Sequence, residues 1–139
     1  MKVVFIILLV FSCQWLNAQT SGLAITITNI RITKGVIRIG IYNNKTSFPK
    51  EGKALEQYTF KVTQPSEKFD IHGLPRGVYA IALFHDENSD GICNTDFFGI
   101  PKEGYGFSNN YKPKLSAPSF NDCKFVVGQN TSLTIKLIN

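Results

Sequence analysis

Apolar side chains recur at every second position along most of this chain, and that spacing constrains its fold more than any other feature. Leu23, Ile25 and Ile27 alternate with Ala24, Thr26 and Thr28. Ile37, Ile39 and Ile41 share one face of the segment 36–42. Tyr58, Phe60 and Val62 alternate with Thr59, Lys61 and Thr63, and Leu133, Ile135 and Leu137 with Ser132, Thr134 and Lys136. Successive side chains of an extended chain point to opposite faces, so each segment predicts a strand with one dry and one wet face. Residues 78–84, Val-Tyr-Ala-Ile-Ala-Leu-Phe, are apolar on both faces, as a central strand covered on both sides requires. No helical period competes with this pattern.

Turn residues punctuate the strands. Lys34-Gly35 predicts a hairpin between the first two strands, and Gln64-Pro65-Ser66 turns residues 68–71 back on the strand before them. Leu74-Pro75-Arg76-Gly77 opens the apolar run, and Gly128-Gln129-Asn130 separates the short strand 125–127 from the last. About seven short strands with turn signals roughly every 8–12 residues predict an all-β, immunoglobulin-like or transthyretin-like antiparallel β-sandwich. At 139 residues the chain is one such domain. Two stretches fall outside the alternation. Residues 43–53 are polar around Phe48-Pro49, and residues 98–119 hold three prolines and three glycines with Tyr105, Phe107 and Tyr111. A structureless loop longer than about 12–15 residues is uncommon in a compact domain and is often functional. Tyr105, Phe107 and Tyr111 are therefore the candidate binding surface, with inward packing over an open end of the sandwich as the alternative.

The N-terminus reads as an address. Lys2 precedes the apolar run 3–11, and the small Ala18 follows a short polar stretch. That order is a secretory leader over residues 1–18, leaving residues 19–139 as the mature domain. The run is shorter than the roughly 20 apolar residues a membrane span needs, and charges interrupt every later segment, so no transmembrane segment is expected. Expected localisation is exported: periplasmic, outer-surface or extracellular. Val10-Phe11-Ser12-Cys13 offers lipid anchoring at Cys13 as the rival outcome. Loss of Lys2 with the leader lowers the net charge from +5 to +4. The basic residues are scattered without an aromatic-interleaved stripe, and no nucleic-acid partner is expected.

The acids are less even. Asp86, Glu87, Asp90, Asp96 and Glu103 crowd into 18 residues with only Lys102 beside them. Within that segment Asp86, Asn88 and Asp90 alternate and Gly91 follows, the first half of a D-x-[DN]-x-[DN]-G calcium loop. Alternate oxygens converge on one hard cation when the chain curls, and the glycine permits the curl. The Ile92 carbonyl, Asn94 and Asp96 extend the candidate ligand set, with calcium the candidate cofactor. The twelfth position is Phe97 where an EF-hand has Glu, and the same residues also suit a polar β-turn. Cys93 and Cys123 remain once the leader is removed, and export permits a disulfide between them; two small buried thiols are the alternative. His85 and His72 read as structural, and no motif for hydrolytic, metalloprotease or phosphate-binding chemistry occurs.

Longer strings carry a resemblance. Phe84-His85-Asp86-Glu87-Asn88-Ser89-Asp90-Gly91 and Phe98-Gly99-Ile100-Pro101-Lys102-Glu103-Gly104-Tyr105-Gly106-Phe107-Ser108-Asn109-Asn110 resemble a bacterial exported family known as domain of unknown function 2141. Gly35-Val36-Ile37-Arg38-Ile39, the Leu74 to Ala80 turn and strand, and Pro118-Ser119-Phe120 extend it over residues 23–138. The chain departs from the family pattern at Cys93 and Asn94, where an aliphatic residue and then Asp are expected. The turn, buried strand and acidic loop also resemble carboxypeptidase-regulatory and collagen-adhesin B-type sandwiches, a likeness of fold alone. The resemblance implies no established activity. The expected function is a non-enzymatic exported module that binds an unknown protein or glycan; a structural accessory domain of a larger envelope assembly is the alternative, and an enzyme is disfavoured.

Overall fold

The computed structural model describes residues 21–139. The leader at 1–18, its cleavage after Ala18 and the lipid site at Cys13 lie outside the described residues. Among these the chain is mostly strand: β1 (Gly22–Thr28), β2 (Val36–Tyr42), β3 (Glu56–Lys61), β4 (Glu67–His72), β5 (Gly77–Asp86), β6 (Tyr105–Phe107), β7 (Phe125–Val127) and β8 (Asn130–Lys136). A single 3-10 turn, Ser108–Asn110, follows β6, and a one-turn helix α1, Phe120–Cys123, precedes β7. No alternation announces that helix. Its signal is the capping box, in which Ser119 and Asp122 each bond the other's backbone amide.

Two sheets form. One has the order β4-β1-β8, the other β3-β2-β5-β6, with β7 also on β5. Their facing sides enclose one core: Leu23, Ile25 and Ile27 of β1 and Ile71 of β4 meet Ile37, Ile39 and Ile41 of β2 and Tyr79, Ile81 and Leu83 of β5. Phe60 of β3 stacks on Phe69 of β4 at 4.1 Å between ring centroids, closing one side of the sandwich-like arrangement. Burying each such Ile or Leu is worth about 1.5–3 kcal/mol, so these alternating faces are the main source of stability.

The alternation is borne out strand by strand, but the pairing is not. The expected hairpin between β1 and β2 does not form: β1 pairs β4 and β8, while β2 pairs β3 and β5. The segment 68–71 does not return to β3 either, because β4 lies in the other sheet against β1. The strand 125–127 joins β5, while its successor β8 runs parallel to β1, so the arrangement is not wholly antiparallel. Each correction has the same cause. Two consecutive strands with one dry face apiece bury both by facing each other across the core, not by lying side by side. Eight strands stand where about seven were expected, the extra one being β6. It lies within residues 98–119, so that stretch is no structureless loop. Among the described residues no helix is long and apolar enough to cross a membrane.

Gly35 makes the first crossing possible. Its φ is +70°, and a Cβ there would collide with the Asp86 carbonyl and the Glu87 backbone. Gly52 shares the φ of +70° but opens onto free space. Gly35→Ala is expected to cost about 3 kcal/mol or more in urea denaturation, and Gly52→Ala about 1 kcal/mol. Equal losses would show that the backbone approach is not what demands glycine at 35.

Candidate functional site

Alternation turns every second residue of β2, β3, β5 and β6 away from the core, and register aligns those residues into rows. Thr59, Arg38, Phe84 and Tyr105 form one row across the outer face of the larger sheet; Gln57, Gly40, Ala82 and Phe107 form the next. Gly40 and Ala82 are the two smallest residues and lie side by side, so the sheet surface dips between Phe107 and the polar edge strand. A Cβ on Gly40 would stand 2.9 Å from the Tyr42 ring, which leans over it. Tyr42 also donates a hydrogen bond to the Lys50 carbonyl at 3.2 Å, drawing residues 49–54 up as a wall. Gly91, Cys93 and Pro101 form the opposite wall. The result is a cavity of about 420 Å³, within the roughly 300–1,000 Å³ typical of small-ligand sites.

Beyond that row the outer face is covered. Tyr42, Phe48, Ala80, Phe120 and Cys123 form a second buried cluster, against which Phe107 and Tyr111 pack. Phe48 sits at its centre, edge-on to Tyr42, Phe107 and Phe120. The peptide Phe48-Pro49 is cis. The anchoring role expected of Phe48 is thus met.

The acidic segment is held to the sheet by its own carboxylates. Asp86 has a fully buried side chain: Oδ2 accepts from Arg38 Nε at 2.7 Å and from the Gly91 amide at 2.9 Å, and Oδ1 accepts from the Asp90 amide at 3.1 Å. Burial pushes the Asp86 carboxyl up, but these donors outweigh it and hold it below the usual carboxylate range. Glu103 bridges the loop's two limbs, accepting from the amides of Glu87 and Asn94. Asp96 accepts from the amides of Phe98 and Ile100. Asn88 and Asn94 both donate to Asp90 Oδ2, at 2.8 and 3.0 Å, and Asn94 also reaches the Ile92 carbonyl. Of the candidate calcium ligands, Asn88, Asp90, Ile92 and Asn94 therefore meet at one place; Asp86 is engaged by Arg38 and two amides, and Asp96 closes a separate turn. Among the described residues no three His, Cys, Asp or Glu side chains cluster as a metal site would need.

The remaining candidates are placed as follows. Tyr105 and Phe107 line the cavity from a strand rather than a loop, while Tyr111 lies outside it in the second cluster. The candidate disulfide is not formed: Cys93 stands in the cavity wall, Cys123 is buried at the end of α1, and both thiols are free. Burial, with help from Glu103, Glu51 and Asp86, pushes Cys93 up to about 11; burial and Asp122 push Cys123 up to about 12. His85 faces the core side, fully buried, with Nε2 donating to the Lys34 carbonyl at 2.7 Å.

The family described as an uncharacterized protein conserved in bacteria, domain of unknown function 2141, matches residues 25–136. The chain belongs to that family. No curated protein and no solved structure matches it. The family match runs from within β1 to the end of β8 and includes both cavity walls. The strings that carried the resemblance now have structural roles. In Gly104 to Asn110, Tyr105 and Phe107 face the cavity, and Gly106 packs against Ile135 where a Cβ would stand 2.7 Å away. Ser108 bonds the backbone of Ile81 and Cys123, and Asn110 bonds Thr134 and Lys136 of β8. Sequence reasoning missed Arg38, Gly40, Gln57, Ala82 and Glu51. Only the outward phase of β2, β3 and β5 could have nominated the first four, and only once the pairing was known.

The Arg38–Asp86 pair ties wall to floor, so its loss is measurable. Asp86→Asn is expected to cost about 2–3 kcal/mol at neutral pH, because Arg38 loses its buried counter-charge. A carboxyl held low when folded stabilises above its ordinary range near about 4 and loses that contribution as pH falls through the folded value. The wild type should therefore lose stability on acidification below about pH 4, and the variant should lose less; an unchanged acid limb would remove Asp86 from this role.

Proposed function

We propose that this chain is an exported, non-enzymatic β-sandwich module, immunoglobulin-like or transthyretin-like in type, that holds a ligand in the outer-face cavity. The ligand is part of a glycan or of another protein. The cavity carries this reading: its floor and walls are built from four strands and two loops, it is lined mainly by apolar groups, and the polar side chains of Arg38, Gln57 and Glu51 border it. Rigid strands, not mobile loops, carry most of the lining, which favours a preformed site. The leader-like N-terminus supports export. The Tyr79 hydroxyl, bonded to the Pro75 carbonyl at 2.9 Å just inside β5, supports the fold type, since a tyrosine corner of this kind is a hallmark of immunoglobulin-like sandwiches. A binding role is favoured over catalysis because the thiol in the wall, Cys93, is held protonated at neutral pH and the buried His85 faces the core.

Binding of the neutral apolar dye Nile red tests the cavity directly. Saturable fluorescence is expected for the wild type and about tenfold weaker binding for Ala82→Trp, with an unchanged melting temperature. Phe97 and Phe98 are the competing dye site, being 95 % and 82 % exposed. Phe97→Ser with Phe98→Ser should leave the saturable phase intact; its disappearance there, or its survival in Ala82→Trp, sinks the proposal.

The convergence of Asn88, Asp90, Asn94 and the Ile92 carbonyl favours a second property, calcium stabilisation of the acidic wall. Turning either amide end for end presents a carbonyl oxygen to the same point, although calcium's six to eight oxygens would need water to complete the set. Melting in millimolar calcium should then exceed melting in EDTA by several degrees, and Asp90→Asn should abolish the difference. Identical melting in both solutions removes calcium from this protein.

A further inference from the structure

The cavity's polar groups specify more than the presence of a ligand. Arg38 uses Nε on Asp86, and its two terminal nitrogens have no hydrogen-bond partner among the described residues. Gln57 and Glu51 likewise engage no hydrogen bond with their side chains among the described residues. All three line the same cavity. A ligand thus meets a pair of fixed donors, an amide that both donates and accepts, and a carboxylate that only accepts.

The charges exclude most ligand classes. Arg38 is already neutralised by Asp86, and Glu51 adds an acid to the rim. Burial first, and then Glu103, Glu51 and Asp86, raise the Cys93 thiol in the wall, while burial and Glu51 raise the Tyr42 hydroxyl. Among the lining residues Arg38 is paired with Asp86 and Glu51 is not paired, so the lining offers an anion no free counter-charge. A cation would leave the Arg38 donors unmatched and close to a like charge. A purely apolar ligand would strip water from Arg38, Gln57 and Glu51 without replacing it, which costs free energy at each group. A ligand that both donates and accepts satisfies all three, and a hydroxyl does so from a single atom. The floor sets the second requirement. Ala82 and Phe84 make it apolar, the Tyr42 ring covers Gly40 beside them, and Tyr105 and Phe107 flank it, so it accepts the flat C–H face of a six-membered sugar ring whose rim carries the hydroxyls.

We infer that the outer-face cavity binds a neutral saccharide, one ring lying over Ala82 and Phe84 beside the Tyr42 ring, with its hydroxyls shared between Arg38, Gln57 and Glu51. This rests on the reading of the cavity as a ligand site, and the test separates the two. The full chain purified from expressing cells is titrated calorimetrically with neutral cello-, xylo-, malto- and chito-oligosaccharides and with anionic oligogalacturonate, and each is also used to displace Nile red. At least one neutral series is expected to bind saturably, to displace the dye, and to be insensitive to salt, since no net charge is exchanged. Gln57→Ala and Glu51→Ala each change an exposed side chain that makes no hydrogen bond among the described residues, and should weaken that binding at least about fivefold with the melting temperature unchanged. Preference for oligogalacturonate, or full affinity in both variants, overturns the saccharide assignment. Dye that enters the cavity and is displaced by no saccharide overturns the assignment and leaves the cavity reading standing; if neither dye nor saccharide binds, both fail.

Discussion

Strand β5 is covered on both faces, and the rest of the molecule is arranged around that requirement. Its inward residues Tyr79, Ile81 and Leu83 fill the space between the sheets, and outward Ala80 is sealed by the second cluster. On one edge it pairs with β2; on the other it pairs with β7 and then β6 in succession. A ten-residue strand with two dry faces cannot lie at a surface, so segments on both sides of it in sequence must supply a cover. Phe107, Tyr111, Phe120 and Phe48 supply it at one end. At the other end the cover stops short, and the uncovered part, Ala82 and Phe84, is the cavity floor. The site is thus the place where the second layer of packing ends.

The acidic segment has a related logic. Residues 87–104 leave β5 and return as β6 with little regular structure, so their amides need acceptors from somewhere. Asp86, Asp90 and Asp96 take backbone amides within a few residues, and Glu103 reaches back to those of Glu87 and Asn94. Crowded carboxylates repel one another, and amide donors together with Arg38 offset that repulsion. Arg38 links this segment to the sheet, so the wall of the cavity and the arginine on its floor are held by one ion pair.

Much of the fold was legible along the chain. Each alternating segment is a strand, each points its apolar phase inward, and the run at residues 78–84 is the doubly covered strand it resembles. Phe48 is the anchor its setting in a polar stretch suggests. The site was legible only in fragments. Tyr105 and Phe107 were singled out for being aromatic in a long irregular stretch, and they do line the cavity. Tyr111 was singled out for the same reason and does not, because composition cannot distinguish an aromatic that faces a ligand from one that caps a cluster. Arg38, Gln57 and Ala82 carried no signal, since an outward residue on a strand looks the same whether it meets water or a neighbouring wall.

The sequence by itself determined the strands, the face each one buries and the family, because alternation and turn chemistry act between near neighbours. Which strand pairs with which was decided only in the tertiary structure. β1 and β2 could have formed a hairpin through Lys34-Gly35 with the same local pattern. They separate because two one-sided strands bury more apolar surface facing each other across a shared core, and β8 then closes parallel to β1. That choice of partners sets Gly40 beside Ala82 and Arg38 beside Phe84. The cavity exists because of register between distant segments, which no local property of the chain encodes.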